Sequence, residues 1–557
     1  MAEKTPVLPL NALESLGQQR AYAPIDDSIY EPIEYLVPSK GIAPDLSPAQ
    51  CGKDFLLNAS NFLWRDGRVW TRPGFFEYLG TGNFVGPVLG IAAWEVLVSG
   101  VTSAHLVAAS QSATGGGLIY YLDGANNAFV NAVASAYTTL NSGAEVEFHP
   151  MRTASAGYRL IAVAAALSSD SHEPLKYWTG ATATTFINLS TTTMGSHGIV
   201  WKSHFVIGDT TDTGDGKLGY RVHWSALGDP SVWTGTASAG SLDLIDANTS
   251  PIIKFLPLRR NLIVYKSKGI HSLAYKDPPF YFTQSLENES LEPLSSKAIV
   301  PVLDGDAHFI ATHEGVILWD GQTIERIGRG RIDRTIYETL AYNYASLTSA
   351  FFWPYTNEVF LTIPTSSSTF TIYVYNFTSQ SWWIITQHAF TAAAVVRQIT
   401  GYNMSGRPYF LGATQALPNR IIRYLDEESP DSDIIASGSV GSAITASFLT
   451  GALDFDYPGH KRFSAIEIAV QPRAVVGAEL TCSIGIKQGD NPLMNTITAY
   501  TTVSTSIVLQ ELATTVHFDV QHGGKWILYD VSLTPDRGEI YSLTLFPSPR
   551  TWIRRFR

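Results

Sequence analysis

Charge is scarce in this chain: 16% of its 557 residues are Asp, Glu, Lys or Arg, against roughly 25% in an average soluble protein. With a formal net charge of −11, it lacks the concentrated Lys and Arg that a DNA-wrapping or membrane-binding surface uses to neutralise phosphate. Cysteine is nearly absent. Cys51 and Cys482 stand far apart, which excludes a disulfide framework and a paired-cysteine zinc site and fits a reducing compartment. No apolar run reaches the roughly eighteen residues of a membrane-spanning helix. The opening MAEKTPVLPLNALESLGQQR has no basic start followed by a continuous apolar core, so no signal peptide is read and a chain soluble when made is expected.

What the chain has in quantity is glycine (45), proline (29) and aromatic residues (12%), the composition of many strands joined by tight turns. An all-β fold is therefore predicted. At this length one ordinary hydrophobic core does not suffice, so several domains or a repeat architecture with a distributed core are expected. A surface poor in charge and rich in aromatics is also expected to be covered to some extent by other subunits, although a large repeat fold alone gives the same bias.

Residues 1–55 carry Pro at 7, 9, 24, 32, 38, 44 and 48 with no sustained period, which reads as an extended N-terminal arm lying on something else or as a disordered tail. Asn61 to Trp70 reads as a hairpin turning at Asp66-Gly67 and opening the main domain. A unit then recurs from about residue 85 to 430: an apolar strand, a turn, a second strand closing on an aromatic, and a Gly-, Asp- or Asn-containing turn. Apolar strands lie near Leu106, Leu160, Phe205, Leu262, His308, Glu358 and Tyr409. Their partners close on Tyr121, Trp178, Trp224, Leu273, Trp319 and Tyr375. The spacing of roughly fifty residues is that of one propeller blade, and such blades bury their faces only by stacking in a closed set. The prediction is a β-propeller of about six to eight blades over residues 56–434, with one blade closed by strands from both chain ends. The acidic, proline-containing stretch 425–433 marks a boundary. Residues 435–557 alternate apolar with polar and read as a C-terminal antiparallel β-sandwich ending in the basic run Arg550 to Arg557.

Few residues suggest chemistry. Asp209, Asp212 and Asp215 form a carboxylate-rich loop, but the spacing is wrong for an EF-hand and no glutamate closes it, so a solvated loop is the expectation. Histidines 105, 197, 204, 223, 271, 308 and 313 are scattered over separate units with no helical metal spacing and are expected to be ordinary strand residues. Asp229, Asp304, Asp306 and Asp320 are candidates for glycosidase carboxylates, yet each lies in a turn beside Gly or Pro, where Asp is expected for backbone hydrogen bonding. No nucleophile elbow, phosphate loop or paired-acid motif is present, so no catalytic residue, cofactor or metal is assigned. Basic residues gather at Lys254, Arg259, Arg260, Lys266 and Lys268 and at Arg326, Arg329, Arg331 and Arg334. These read as strand-edge protection and salt bridges or as contacts to DNA phosphates or an acidic neighbour.

Several strings are familiar as an ordered set. They are Asn61-x-x-Trp64-Arg65-Asp66-Gly67-Arg68-Val69-x-Thr71-Arg72-Pro73-Gly74, His223-Trp224-Ser225-Ala226-x-Gly228-Asp229-Pro230-x-x-Trp233, and the strand pair Ile263 to Ile270. Glu314-Gly315-Val316-x-x-Trp319-Asp320-Gly321 through Ile327-Gly328, and Tyr373 to Asn376 leading to Ser381-Trp382-Trp383, complete the order. Running from residue 60 to 385, this set resembles the tail nozzle, or tail tubular, proteins of short-tailed bacteriophages. The resemblance implies a non-enzymatic virion protein assembled in the host cytoplasm, a hexameric ring below the portal and adaptor that conducts double-stranded DNA and carries attachment surfaces for tail fibres. On that reading Arg259, Arg260, Arg329, Arg331 and Arg334 are candidate lumen or DNA contacts. The tail residues Arg550, Trp552, Arg554, Arg555, Phe556 and Arg557 are candidate partner contacts, joining charge to stacking. The rival expectations are a carbohydrate-binding or carbohydrate-hydrolysing propeller, whose aromatics would stack on sugars, and a cytoplasmic propeller scaffold that binds peptides.

Overall fold

The computed structural model describes residues 32 to 386 with short breaks, and strand segments between 401 and 547. Most of it is antiparallel strand, and the order of the strands builds a seven-bladed β-propeller. Blades 1 to 6 are consecutive four-stranded meanders, beginning at Val88, Glu145, Thr193, Ile252, Ile299 and Ser349. The seventh takes three strands from residues 401–424 and its outermost strand, Phe76–Glu77, from the N-terminal side. The innermost strands of blades 1 to 6 lie side by side in chain order, and the strand Arg407–Ala413 of blade 7 lies against the innermost strand of blade 1. The expectation that both chain ends close one blade is met.

The recurring pair read in the sequence is the second and third strand of each blade. These strands, such as His204–Asp212 with Gly216–Trp224 and Ala307–Thr312 with Gly315–Trp319, are the blade's middle, covered on both faces. Their apolar side chains are buried almost completely, as at Leu106, Leu160, Phe205, Leu262, Phe309 and Phe360. The core is accordingly divided into clusters between neighbouring blades, as a stack of sheets around an axis requires.

A second module is a sandwich whose two sheets share one core. One sheet orders Phe62–Arg65, Arg68–Thr71, Gly538–Pro547, Lys461–Pro472 and Thr514–Phe518, with Ile33–Leu36 also on Gly538–Pro547. The other orders Leu56–Ser60, Ala446–Thr450, Trp526–Thr534, Glu479–Gly489 and Tyr500–Val508, and is continuous through Leu56–Ser60 with blade 6. The 61–70 hairpin therefore belongs to the sandwich and does not open the propeller, and the arm and C-terminal segment form one module. The reason is hydrogen bonding: Val69 and Trp70 pair with Ile540 and Glu539, an edge the sandwich would otherwise leave open. Of the expected arm, residues 32–55 lie on the molecule. Gly41 bridges to Trp382 at φ 72°, where a Cβ would stand 2.3 Å from the Trp382 carbonyl oxygen, so only glycine fits. Residues 1–31 and the tail from 548 on lie outside the described residues.

Candidate functional site

The strongest concentration of buried charge sits at the propeller axis. The innermost strand of blade 2 begins Glu145-Val146-Glu147-Phe148-His149, and the period of two in a strand puts both carboxylates on one side. Lys254, on the innermost strand of blade 4, places Nζ 2.6 Å from Glu147 Oε1 and 3.3 Å from Glu145 Oε1. Ser296, at the entry to blade 5, donates from Oγ to Glu145 Oε2 at 2.8 Å. From blade 3 the Gly198 backbone N–H donates to Glu147 Oε2 at 3.0 Å, and His197 Nδ1 lies 3.4 Å from Glu147 Oε1. Burial alone would push both carboxyls up, but Lys254 holds Glu145 below its ordinary value, and Lys254 with His149 and His197 holds Glu147 well below. Burial would lower the Lys254 ammonium, and the two carboxylates more than reverse this.

Glu145, Glu147 and His197 have ligand atoms within 4.8 Å of one another and are the one such cation-sized group among the described residues. The Lys254 ammonium already supplies the positive charge a metal would bring, so the donors fit a lysine and not an added ion. Chemically the cluster sets one ammonium between two carboxylates and ties blades 2, 3, 4 and 5 together across the axis. Side chains therefore bridge the propeller's own central passage at this level.

A second buried constellation has the residue types of a hydrolase but the wiring of a clamp. Ser196 Oγ donates to Asp209 Oδ2 at 2.7 Å while lying 3.1 Å from His172 Nδ1, and His172 Nε2 is 3.4 Å from Asp209 Oδ1. A nucleophilic serine reaches its carboxylate through the imidazole, whereas here it bonds the carboxylate directly. Asp209 sits at φ 51°, at the irregularity between Gly208 and Thr210. The effect is to fasten the loop before Leu175–Trp178 of blade 2 to blade 3. In the next blade Asp246 is a clamp of the same kind, accepting from Lys266 Nζ at 2.7 Å and lying 3.0 Å from His271 Nε2. Burial would raise its pKa, but these partners bring it down to about 2.

Of the residues singled out in the sequence, Lys254 and His197 meet at Glu147 and Lys266 and His271 at Asp246, whereas the glycosidase candidates and the arginines do not converge. Asp229 and Asp320 accept backbone N–H groups of Ser231 and of Gln322 and Thr323, the turn role expected of them, and Asp304 lies in a separate turn at φ 56°. Arg259 and Arg260 are exposed on the turn between the first two strands of blade 4, beside Asp320 and Trp319. Arg329 and Arg334 are exposed around a shallow depression of about 580 Å³ beyond the outermost strand of blade 5, shared with Arg326, Asp45 and Glu314. Arg331 is different. Its guanidinium lies 4.7 Å from the Phe55 ring centroid and donates to the carbonyl oxygens of Gln380 (2.8 Å) and Lys40 (3.3 Å), so it pins residues 40–55 to the propeller. Arg550, Trp552, Arg554, Arg555, Phe556 and Arg557 lie outside the described residues. Sequence reasoning passed over Glu145 and Glu147, although two glutamates alternating within an otherwise apolar strand were a legible sign of a buried partner.

No family model matches the chain, and no curated protein matches it. Among solved structures it is similar to the C-terminal WD40 domain of Sif2 (8% identity, 64% of this chain and 99% of that one, TM-score 0.35). It is also similar to a putative 6-phosphogluconolactonase from Bacteroides uniformis (12%, 56% and 89%, TM-score 0.35) and to the Neurospora crassa Pan2 WD40 domain (10%, 65% and 96%, TM-score 0.33). Likenesses this distant carry no argument about function.

Proposed function

We propose that this chain is a structural virion subunit of the tail-nozzle kind, a ring-forming wall around a passage for double-stranded DNA, with no catalytic activity. One observation carries the reading: the residues of the ordered motifs are spent on holding the fold. Asn61 accepts from Arg72 Nε at 2.9 Å and donates from Nδ2 to Thr386 Oγ1 and to the Thr445 carbonyl, joining hairpin, blade 6 and sandwich. Ser225 Oγ accepts from the Phe205 N–H at 2.9 Å, and Trp233 packs edge-on against Phe205 and His223. Trp382 donates from Nε1 to the Ile327 carbonyl at 3.2 Å, tying blade 6 to the segment after blade 5. Side chains committed to such joints converge on no shared pocket, which suits a wall and not a reacting site.

The side chains bridging the propeller axis fit this reading on one condition, that DNA passes between copies of the chain and not through any one propeller. Heterologous contacts that rotate to closure make such a ring. Light scattering of the purified chain with negative-stain imaging tests it. Closed rings of about six copies with a central hole are expected, as is sedimentation of the chain with virus particles. A monomer that never joins particles overturns the proposal.

A further inference from the structure

A depression of about 1130 Å³ lies apart from the axial cluster. It lies between the outermost strand of blade 2 and the outer half of blade 3, and is more a broad bowl than a slot. The link from blade 2 to blade 3 carries the hydroxyls of Ser190, Thr191, Thr192 and Thr193, and the far side adds Ser231 and Ser241. Asp212, Asp215, Arg221 and His223 supply the charged and ring groups. Two buried groups lining it have no hydrogen-bond partner among the described residues: the Trp233 indole N–H and His223 Nδ1, which has only Asp212 Oδ2 nearby, at 3.6 Å.

The chemistry of this lining selects among ligands by elimination. An anion is disfavoured, because Arg221 is already committed to Asp215 and, through Nε at 2.6 Å and Nη2 at 3.0 Å, to Asp243. A cation is disfavoured, because the carboxylates here form no cation-sized group with one another or with His223. An apolar ligand would leave the hydroxyl and carboxylate groups of the lining without partners. What remains is a neutral ligand dense in hydroxyls, met by the serine and threonine hydroxyls and the Asp212 carboxylate of the lining. The size exceeds the roughly 300–1,000 Å³ of sites for drug-sized ligands, so more than a single small ring is accommodated.

We infer that the bowl between blades 2 and 3 is a saccharide-binding site that takes a neutral oligosaccharide. Asp212 accepts hydroxyls, the threonine-rich loop covers one side, and Trp233 and His223 form the floor. No bond-breaking step is assigned to it. The inference is independent of the ring-forming reading, since a monomeric chain carries the same bowl.

Saturation-transfer NMR on the full chain tests it. The probes are glucose, galactose, mannose and N-acetylglucosamine, their neutral disaccharides and tetrasaccharides, and glucuronate as the charged control. At least one neutral sugar is expected to receive saturation, and tetrasaccharide binding at least tenfold tighter than monosaccharide binding points to a glycan chain as the source. Equal affinity points to a free sugar. Asp212→Ala is expected to weaken binding at least tenfold. Thr192→Tyr, placed on an exposed loop where it fills the bowl without touching the core, abolishes it while leaving the melting temperature unchanged. No saturation of any neutral sugar, binding of glucuronate alone, or binding undiminished by Thr192→Tyr overturns the site.

Discussion

Burying a titratable side chain fixes its protonation state, and His308 is the sharpest case in this protein. It is fully buried, Nε2 is 3.1 Å from the Pro257 carbonyl, and Nδ1 is 2.8 Å from the Tyr265 hydroxyl. Nε2 therefore donates and Nδ1 accepts, which defines the neutral ring. Burial lowers its pKa to about 4, the backbone acceptor only partly opposing this. The unfolded chain binds this proton at about pH 6.5, so the neutral histidine's contribution is complete above that value and is lost as the pH falls toward 4. The shift corresponds to about 3 kcal/mol. Urea unfolding at pH 7 and at pH 4.5 is expected to find the wild type weakened by a large fraction of this amount, and His308→Gln, which can still donate to Pro257, weakened much less. Equal pH dependence in the two proteins would contradict the assignment. Asp246 acts in a lower window: with its pKa brought down to about 2, its contribution is present above about pH 4 and disappears between there and 2.

At the scale of elements, the joint between propeller and sandwich is pinned, beside the strand pairing through Leu56–Ser60, by one residue in an unusual conformation. Asn61 is fully buried at φ 61°, a region asparagine tolerates better than most residues, and its amide satisfies groups from three segments. Asn61→Ala leaves the buried Arg72 guanidinium short of an acceptor and should cost about 3 kcal/mol. Limited proteolysis of the variant should then run faster than that of the wild type. Unchanged cleavage and stability would mean the joint is held elsewhere. Much of this architecture was legible in the sequence, and the reason is physical. Second and third strands of a blade are the covered middle of the sheet and read as apolar runs, five of the six third strands named above closing on Tyr or Trp. First strands face the axis and fourth strands face outward, so Ile324–Arg326, exposed throughout, carries no hydrophobic period to find. The candidate site was less legible: Lys254 was read as a member of a basic cluster, because nothing in a single strand announces that its partner is two blades away.

The whole molecule is held by pairings between its two ends. Ile33 to Leu36 pair with Ser542 to Leu545, Leu56–Ser60 lies between blade 6 and Ala446–Thr450, and Phe76–Glu77 closes blade 7. Contacts spanning most of the chain are costly in loop-closure entropy before they return any burial, so folding is expected to be slow and to finish late. They also make the two modules interdependent in a way that separate domains are not. A chain beginning at residue 80 loses four sandwich strands and the strand that closes the propeller, while keeping every residue of blades 1 to 6. If the modules were independent, its propeller would still melt cooperatively. The pairing pattern predicts instead that the truncated chain is recovered aggregated, because blade 6, the seventh blade and the sandwich would all present open edges at once. Adding residues 1–79 as a separate chain during refolding should restore solubility. A soluble truncated chain with a single sharp melting transition would place the stabilising contacts within the blades alone.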